Sequence, residues 1–463
     1  MPSRASLLAF LLCAATFFGY SRTQERTPYQ DGHPYDSAAY WHQAMLVAHG
    51  RPVYNWAPFV FRVGAPYAVG AWYPAAVRGI EALAPALLRL GARFGPKAAG
   101  HPKPDDLLDG YTWLNWFCTL AHLALLYFLM RGYGLRPAIT WVLLSVYLAN
   151  PNSPLRFSLY MPGFVDPAKF VFFFALWLGY QRLREPGPAG TALLCALAFF
   201  GALVRETVLL VPLAFLGVEV LRTLRERRLH LRRFAPHALI LGYGVLGIVL
   251  AHHLVEALPV PDPKKAYHTL SHARQNFLRN WGQPEIYPLC YLTALGPLFL
   301  WMLMGLTTRP LRALLGRHLE LPLFCVGFAL LAPFAGNHTD RFIFWMLPAC
   351  LVLVGHLAQS ALALPAPGPR RVVFVALLIA TQILAYRALV PIPAADFEYF
   401  SLPGKPSHLW LAPYGEGTNQ GQMTAAFMQR GARYWLLGQF ALLGLVLGAL
   451  RYAPSRAANA TAE

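Results

Sequence analysis

Charge is what this sequence has least of. Asp, Glu, Lys and Arg make up 13% of its 463 residues, where a soluble chain carries about a quarter, so a water-facing globular fold is excluded at the outset. Acids are scarcest: 21 stand against 39 Lys and Arg, for a formal charge of +18. That excess does not point to nucleic acid, because the arginines cap hydrophobic runs and form no continuous stripe. Cysteine is sparse as well. Cys13, Cys118, Cys195, Cys290, Cys325 and Cys350 all lie in apolar runs, with no CxxC pair, so neither a disulfide framework nor a zinc site is indicated. The chain has no Walker loop, HExxH or GxSxG. Nucleotide-driven chemistry therefore has no visible site, no cofactor is expected, and no metal site is assigned, His338 with Asp340 being too few ligands to indicate one.

What is abundant is apolar sequence, in blocks. Hydrophobic residues reach 56% and fall into runs of about 15–22, the length a bilayer core demands of a helix. Lipid offers no partner to an unpaired backbone amide, so each run must be helical. The expected fold is all-α: a polytopic membrane helical bundle of about twelve transmembrane helices, forming a single domain over residues 1–463. Its first span, Leu7–Tyr20, reads as a retained anchor or a signal peptide. The others cover approximately 111–130, 137–150, 168–181, 189–204, 207–221, 236–254, 286–306, 319–335, 342–360, 371–390 and 434–450.

Arginine gives the orientation. Arg131 and Arg136, Arg182 and Arg184, the stretch Arg222–Arg233, then Arg309, Arg312 and Arg317, and Arg370 with Arg371, sit in short loops on one side. By the positive-inside rule that side is cytoplasmic. The long first loop (21–110) and the long last one (391–433) then lie outside, as in a multi-pass protein of the cell (inner) membrane whose active face meets the periplasm or exterior. Within the first loop, Ser37–His49 and Tyr67–Phe94 are amphipathic candidates. The second carries Arg78, Glu81, Arg89 and Arg93, too many charges to span, and suits the headgroup region.

Polar residues able to do chemistry gather on the outer segments. Asp36 opens the first amphipathic helix, where it either caps that helix and complements its dipole or serves as a general base at the membrane surface. Asp31 lies just ahead of it. Arg62, followed by Pro66 and Tyr67, either snorkels to headgroups or grips a phosphate, which the guanidinium fork suits. Arg205-Glu206-Thr207 interrupts two apolar runs; charge at that depth is either an ion pair closing a hairpin or part of a site. In Asn337–Phe342, Asp340 either caps the next helix or joins His338 and Arg341 at a polar mouth. Asp166 and Lys169 stand at the outer start of one span, and His268, His272, Arg274 and Arg279 mark another loop. Trp410, Tyr414, Glu416, Asn419 and Gln420 occupy the last one, where aromatics beside polar groups suit carbohydrate or plain interface anchoring.

A first span, a long outer loop with an Asp soon after it, and two interfacial helices together resemble the GT-C superfamily of membrane glycosyltransferases. Tyr35-Asp36-x-x-x-Tyr40, Phe61-Arg62-Val-x-x-Pro66, Arg205-Glu206-Thr207 and Asp340-Arg341-Phe342 are similar to phrases in bacterial members. The adjacent acidic pair that many members carry in the first loop is missing, so the base stays open between Asp36 and Asp31. The resemblance implies a polyprenyl-phosphate sugar donor, drawn from the lipid bilayer, and an acceptor glycan, lipid or protein outside the cytoplasm. It implies that Asp36 takes the acceptor's proton and that Arg62, Arg205 and Arg341 hold the leaving phosphate. Glu206 would orient Arg205, and Tyr67, His338 and Asp340 would also line the substrate site. Two other readings stay open: a twelve-helix secondary transporter, divided six and six by Arg222–Arg233, and a lipid-linked polysaccharide ligase or polymerase.

Overall fold

Proline sets where many of the helices begin, since it supplies a pre-formed φ at a position whose amide needs no partner. The computed structural model describes residues 3–26, 36–51, 64–73, 95–97, 106–163, 165–183, 187–227, 231–256, 274–278, 281–334, 339–362, 368–389 and 430–452. Among them every regular element is helical. Helix α1 (Arg4–Thr23) is capped by Ser3, whose hydroxyl accepts from the Ser6 amide. The first long loop contributes α2 (Asp36–Ala48) and α3 (Gly64–Tyr67), the latter running into a π-helical turn at Ala68–Trp72.

Five helices follow in close succession: α4 (Asp106–Gly132), α5 (Pro137–Ala149), the short α6 (Pro154–Tyr160), α7 (Asp166–Arg182) and α8 (Pro188–Val204). A 3-10 turn, Glu206–Leu209, leads into α9 (Leu210–Glu226), and α10 (Leu231–Glu256) returns. The second half holds α11 (Ile286–Leu295), α12 (Pro297–Gly305), α13 (Arg309–Arg317) and α14 (Glu320–Leu331). Last come α15 (Thr339–Phe344), α16 (Leu347–Leu362), α17 (Pro369–Ala385) and α18 (Arg430–Tyr452).

The helices pack as a bundle, with α4 along α7, α8 along α10 and α1 along α5. Phe170, Phe173, Phe174 and Trp177 of α7 meet Phe324, Phe328 and Phe344 in one continuous core. The outward faces are apolar too: Leu8 is 67% exposed and Leu445 72%. An apolar outside is the pattern of a protein whose solvent is lipid, and in lipid such a core holds by close packing more than by water exclusion.

All twelve apolar runs named from the sequence fall on helices. Five helices are by themselves long and apolar enough to cross a membrane, and seven spans result if each bent pair is taken as one. The expected twelve is not reached on that measure, because prolines and breaks shorten the remainder. The run at 286–306 is not one rod: α11 and α12 meet at 98°. Gly296 makes the bend with φ +69°, a conformation that a β-carbon penalises. The carbonyls it releases are engaged, Ala294 by Asn150 Nδ2 at 2.6 Å and Leu295 by the Tyr386 hydroxyl at 3.0 Å. Residues 309–317, expected as a loop, form α13, set at 88° to the helix that follows. The amphipathic candidate Tyr67–Phe94 beyond Tyr73, and the last loop up to residue 429, lie outside the described residues.

Candidate functional site

The sequence expectation at residue 205 is a charged interruption, and the backbone there is extended (φ −164°, ψ 129°) between α8 and the 3-10 turn. That break turns Arg205 toward the start of α7, where its guanidinium pairs with Asp166 Oδ1. From α15, Arg341 reaches the other oxygen: Nε donates to Oδ2 at 2.9 Å, and Nη2 contacts the same atom. Lys169, one turn along α7, brings its Nζ to 3.4 Å from Oδ1. Three cations from three separated segments thus share one carboxylate. All four side chains are buried, Lys169 to 1% exposure and Asp166 to 5%.

Aromatic faces complete the surround. Lys169 Nζ lies 3.3 Å from the centroid of Trp345 and 4.0 Å from that of Phe170, Arg205 stacks over Trp345 at 5.0 Å, and Arg341 over Phe157 at 4.8 Å. Asp166 lies ahead of the apolar run at 168–181. Burial alone would push its carboxyl up, but Arg205, Arg341 and Lys169 together hold it well below the usual carboxylate range. A carboxylate so held, with both oxygens engaged, is a poor proton acceptor. It is instead a template on which the cations are set. The Lys169 ammonium is ion-paired with Asp166 but makes no hydrogen bond in good geometry among the described residues.

The first long loop docks at this same end. Tyr40 of α2 is buried with Val165 and Ala168, which flank Asp166, and with Val204, which precedes Arg205. The Tyr111 hydroxyl donates to the Tyr40 carbonyl at 2.8 Å. Gly64, at the start of α3, closes the other side: a β-carbon there would come within 2.9 Å of Val204 Cγ2. Asp36 begins α2, four residues and therefore about one turn before Tyr40.

Of the residues singled out from the sequence, Arg205 and Arg341 are brought into one cluster. Glu206 opens the 3-10 turn and is exposed, and Asp166 pairs with Arg205. Asp36, Tyr67 and Asp340 are described as backbone only, at the start of α2, the end of α3 and the second position of α15. Asp31, Arg62 and His338 lie outside the described residues, as do His268, His272, Arg279, Trp410, Tyr414, Glu416, Asn419 and Gln420. Arg274 is exposed. Sequence reasoning underweighted Asp166 and Lys169, although an acid and a lysine three residues apart at the head of an apolar run were the visible signal.

Sequence reasoning passed over Trp345 and Arg156 altogether. Arg156 is fully buried, donating to the carbonyls of Ala149 (2.6 Å), Tyr386 (2.7 Å) and Arg387 (3.2 Å), and so fastens α6 to the end of α17. Among the described residues, no group of three His, Cys, Asp or Glu is placed to hold a metal.

A second polar cluster sits at the far end of α7. Trp177 Nε1 donates to the Tyr133 hydroxyl at 2.8 Å, and that hydroxyl donates to Glu320 Oε1 at 3.0 Å. His318 Nδ1 meets the same oxygen at 3.1 Å, and His356 Nε2 lies 2.8 Å from the Tyr133 carbonyl. No protein-family model matches the chain, and comparison with curated proteins finds no match.

Proposed function

We propose that this chain is a membrane glycosyltransferase of GT-C type, moving a sugar from a polyprenyl-phosphate donor to an acceptor on the extracytoplasmic side. One juxtaposition supports the reading. The cations Lys169, Arg205 and Arg341 converge on Asp166 at the end of the bundle where α2, the helix begun by Asp36, is docked. The leaving group of such a transfer is a lipid phosphate, already stable as an anion, so no strong general acid is required. What the protein must supply is positive charge in a dehydrated place and a base for the acceptor hydroxyl. The three cations provide the first, joined by Arg62 from the first loop, while Tyr67, His338 and Asp340 line the substrate site. Asp36, with Asp31 as the alternative, provides the second: it takes the hydroxyl proton as that oxygen attacks the anomeric carbon and the bond to the phosphate oxygen breaks. Twelve spans and an outward-facing site in the cell membrane belong to this reading.

The test is Asp36→Asn, assayed with a polyprenyl-phosphate sugar in proteoliposomes. Loss of a positioned base lowers the rate by ~10²–10⁴, with expression and unfolding temperature unchanged. Full activity in that variant refutes the assignment of Asp36. Full activity joined to a large loss in Asp31→Asn transfers the role to Asp31.

The bend between α11 and α12 is the one feature that favours a transporter, since discontinuous helices commonly bind substrate at mid-membrane. Here, however, the carbonyls at the bend are already taken by Asn150, Gln382 and Tyr386, which leaves less for a coordinated ion. Substrate flux without a new glycosidic bond would favour the transporter. Transfer of a whole lipid-linked glycan in place of one sugar would favour the ligase or polymerase.

A further inference from the structure

Nine residues at the opposite end carry an observation unrelated to the transfer site. Helix α13 reads Arg-Pro-Leu-Arg-Ala-Leu-Leu-Gly-Arg, with three arginines and no acid. Its apolar side is committed: Leu311 and Leu314 are buried, and α13 packs on α16. Arg309, Arg312 and Arg317 are all exposed. Arg317 donates only to the Ala313 carbonyl of its own helix, and among the described residues none of the three is in an ion pair. Glu320, the acid closest in sequence, is occupied by Tyr133 and His318.

Direction matters as much as charge. The helix running Glu320–Phe334 is apolar and packs against α9, which is long and apolar enough to cross a membrane. At His318–Leu319 the chain turns by 88° into α13, so α13 crosses the end of the bundle and does not extend it. A short helix lying across the end of a membrane bundle, apolar toward the protein and cationic outward, lies in the plane of the headgroups. The Tyr133–Glu320–His318 contacts brace that elbow against α4 and α7.

From these observations we infer that α13 is an in-plane docking surface for anionic phospholipid headgroups, which Arg309, Arg312 and Arg317 bind. Charge complementarity selects the occupant. A basic residue held near an anionic leaflet gains roughly fivefold in preference for it, so three give about a hundredfold.

The test uses the full chain in nanodiscs of phosphatidylcholine, with or without phosphatidylglycerol, and reads the thermal unfolding midpoint. In the wild-type chain, phosphatidylglycerol raises the midpoint, and the rise fades as salt increases. The triple variant Arg309→Gln, Arg312→Gln, Arg317→Gln unfolds like wild type in the neutral lipid, because the altered side chains are exposed, and loses the rise. The double variant Arg370→Gln, Arg371→Gln, exposed at the start of α17, keeps it. No rise in wild type, a rise that survives in the triple variant, or an equal loss in the α17 variant overturns the proposal. So does an equal rise from inorganic phosphate in neutral nanodiscs, which would mark a free-anion site. None of these readouts depends on transferase activity.

Discussion

The two ends of α7 solve the same problem in opposite ways. At its start, three cations crowd one carboxylate, and Lys169 keeps its ammonium between two aromatic faces. Eleven residues later, about 16 Å along the axis, Trp177, Tyr133, Glu320 and His318 close a chain of neutral and singly charged partners. The second arrangement is what a buried polar group needs in order to be tolerated: each donor finds an acceptor. The first gathers three basic side chains on the two oxygens of Asp166. Burying charge near lipid is costly, and such residues are ordinarily paired or functional. The contrast is between a hydrogen-bonded chain that braces the bundle and a charge cluster that the proposed function reads as a phosphate site.

Removing the shared carboxylate should produce the largest effect. Asp166→Asn leaves three buried cations facing one another and is expected to destabilise the chain by ~3–5 kcal/mol, measured by unfolding in detergent. Its pH dependence has a definite sign. Because the folded-state pKa is depressed, the stabilisation is complete above the unfolded value of about 3.9 and is lost as pH falls through the folded value. The gap between wild type and Asp166→Asn should therefore stay constant between about pH 5 and 8 and narrow only in stronger acid. A gap that narrows near neutrality would break the description of this end.

Lys169→Met sharpens the comparison. It removes a buried cation but keeps its length, so stability should hold or rise. Transferase activity should drop by ~10²–10³, the usual cost of losing one donor to a developing anion. A loss of stability with activity intact would make the start of α7 a brace like the other end. The smallest effect is expected from Tyr133→Phe, which deletes the hydroxyl linking Trp177 to Glu320. About 1–2 kcal/mol of stability should go, with no change in turnover. If turnover moved instead, the two ends would not be separate in role.

Much of the architecture could be read before any coordinates. Runs of apolar residues of bilayer length had to be helices, and prolines at positions 137, 154, 188, 297 and 369 mark helix starts. The interruption at Arg205 was visible because charge is so rare around it. The bend at Gly296 was not, since hydropathy averages over a window and the polar groups that satisfy the bend come from Asn150, Gln382 and Tyr386, far away in sequence. For the same reason α13 read as a loop: three arginines in nine residues look like a cytoplasmic turn until Leu311 and Leu314 are seen to face the bundle.

Composition and periodicity determined that this chain is helical, apolar on its surface and armed with arginine at the ends of its runs. They could do so because lipid forces every backbone amide to pair locally, within some four residues. Which carboxylate Arg205 and Arg341 share was decided by tertiary structure alone. Asp166, Arg205 and Arg341 are separated by 39 and 175 residues in their hydrogen bonds, and no local rule brings them together. They meet because α7, the break after α8 and α15 are packed to one end of the bundle, where charges far apart in sequence come into contact.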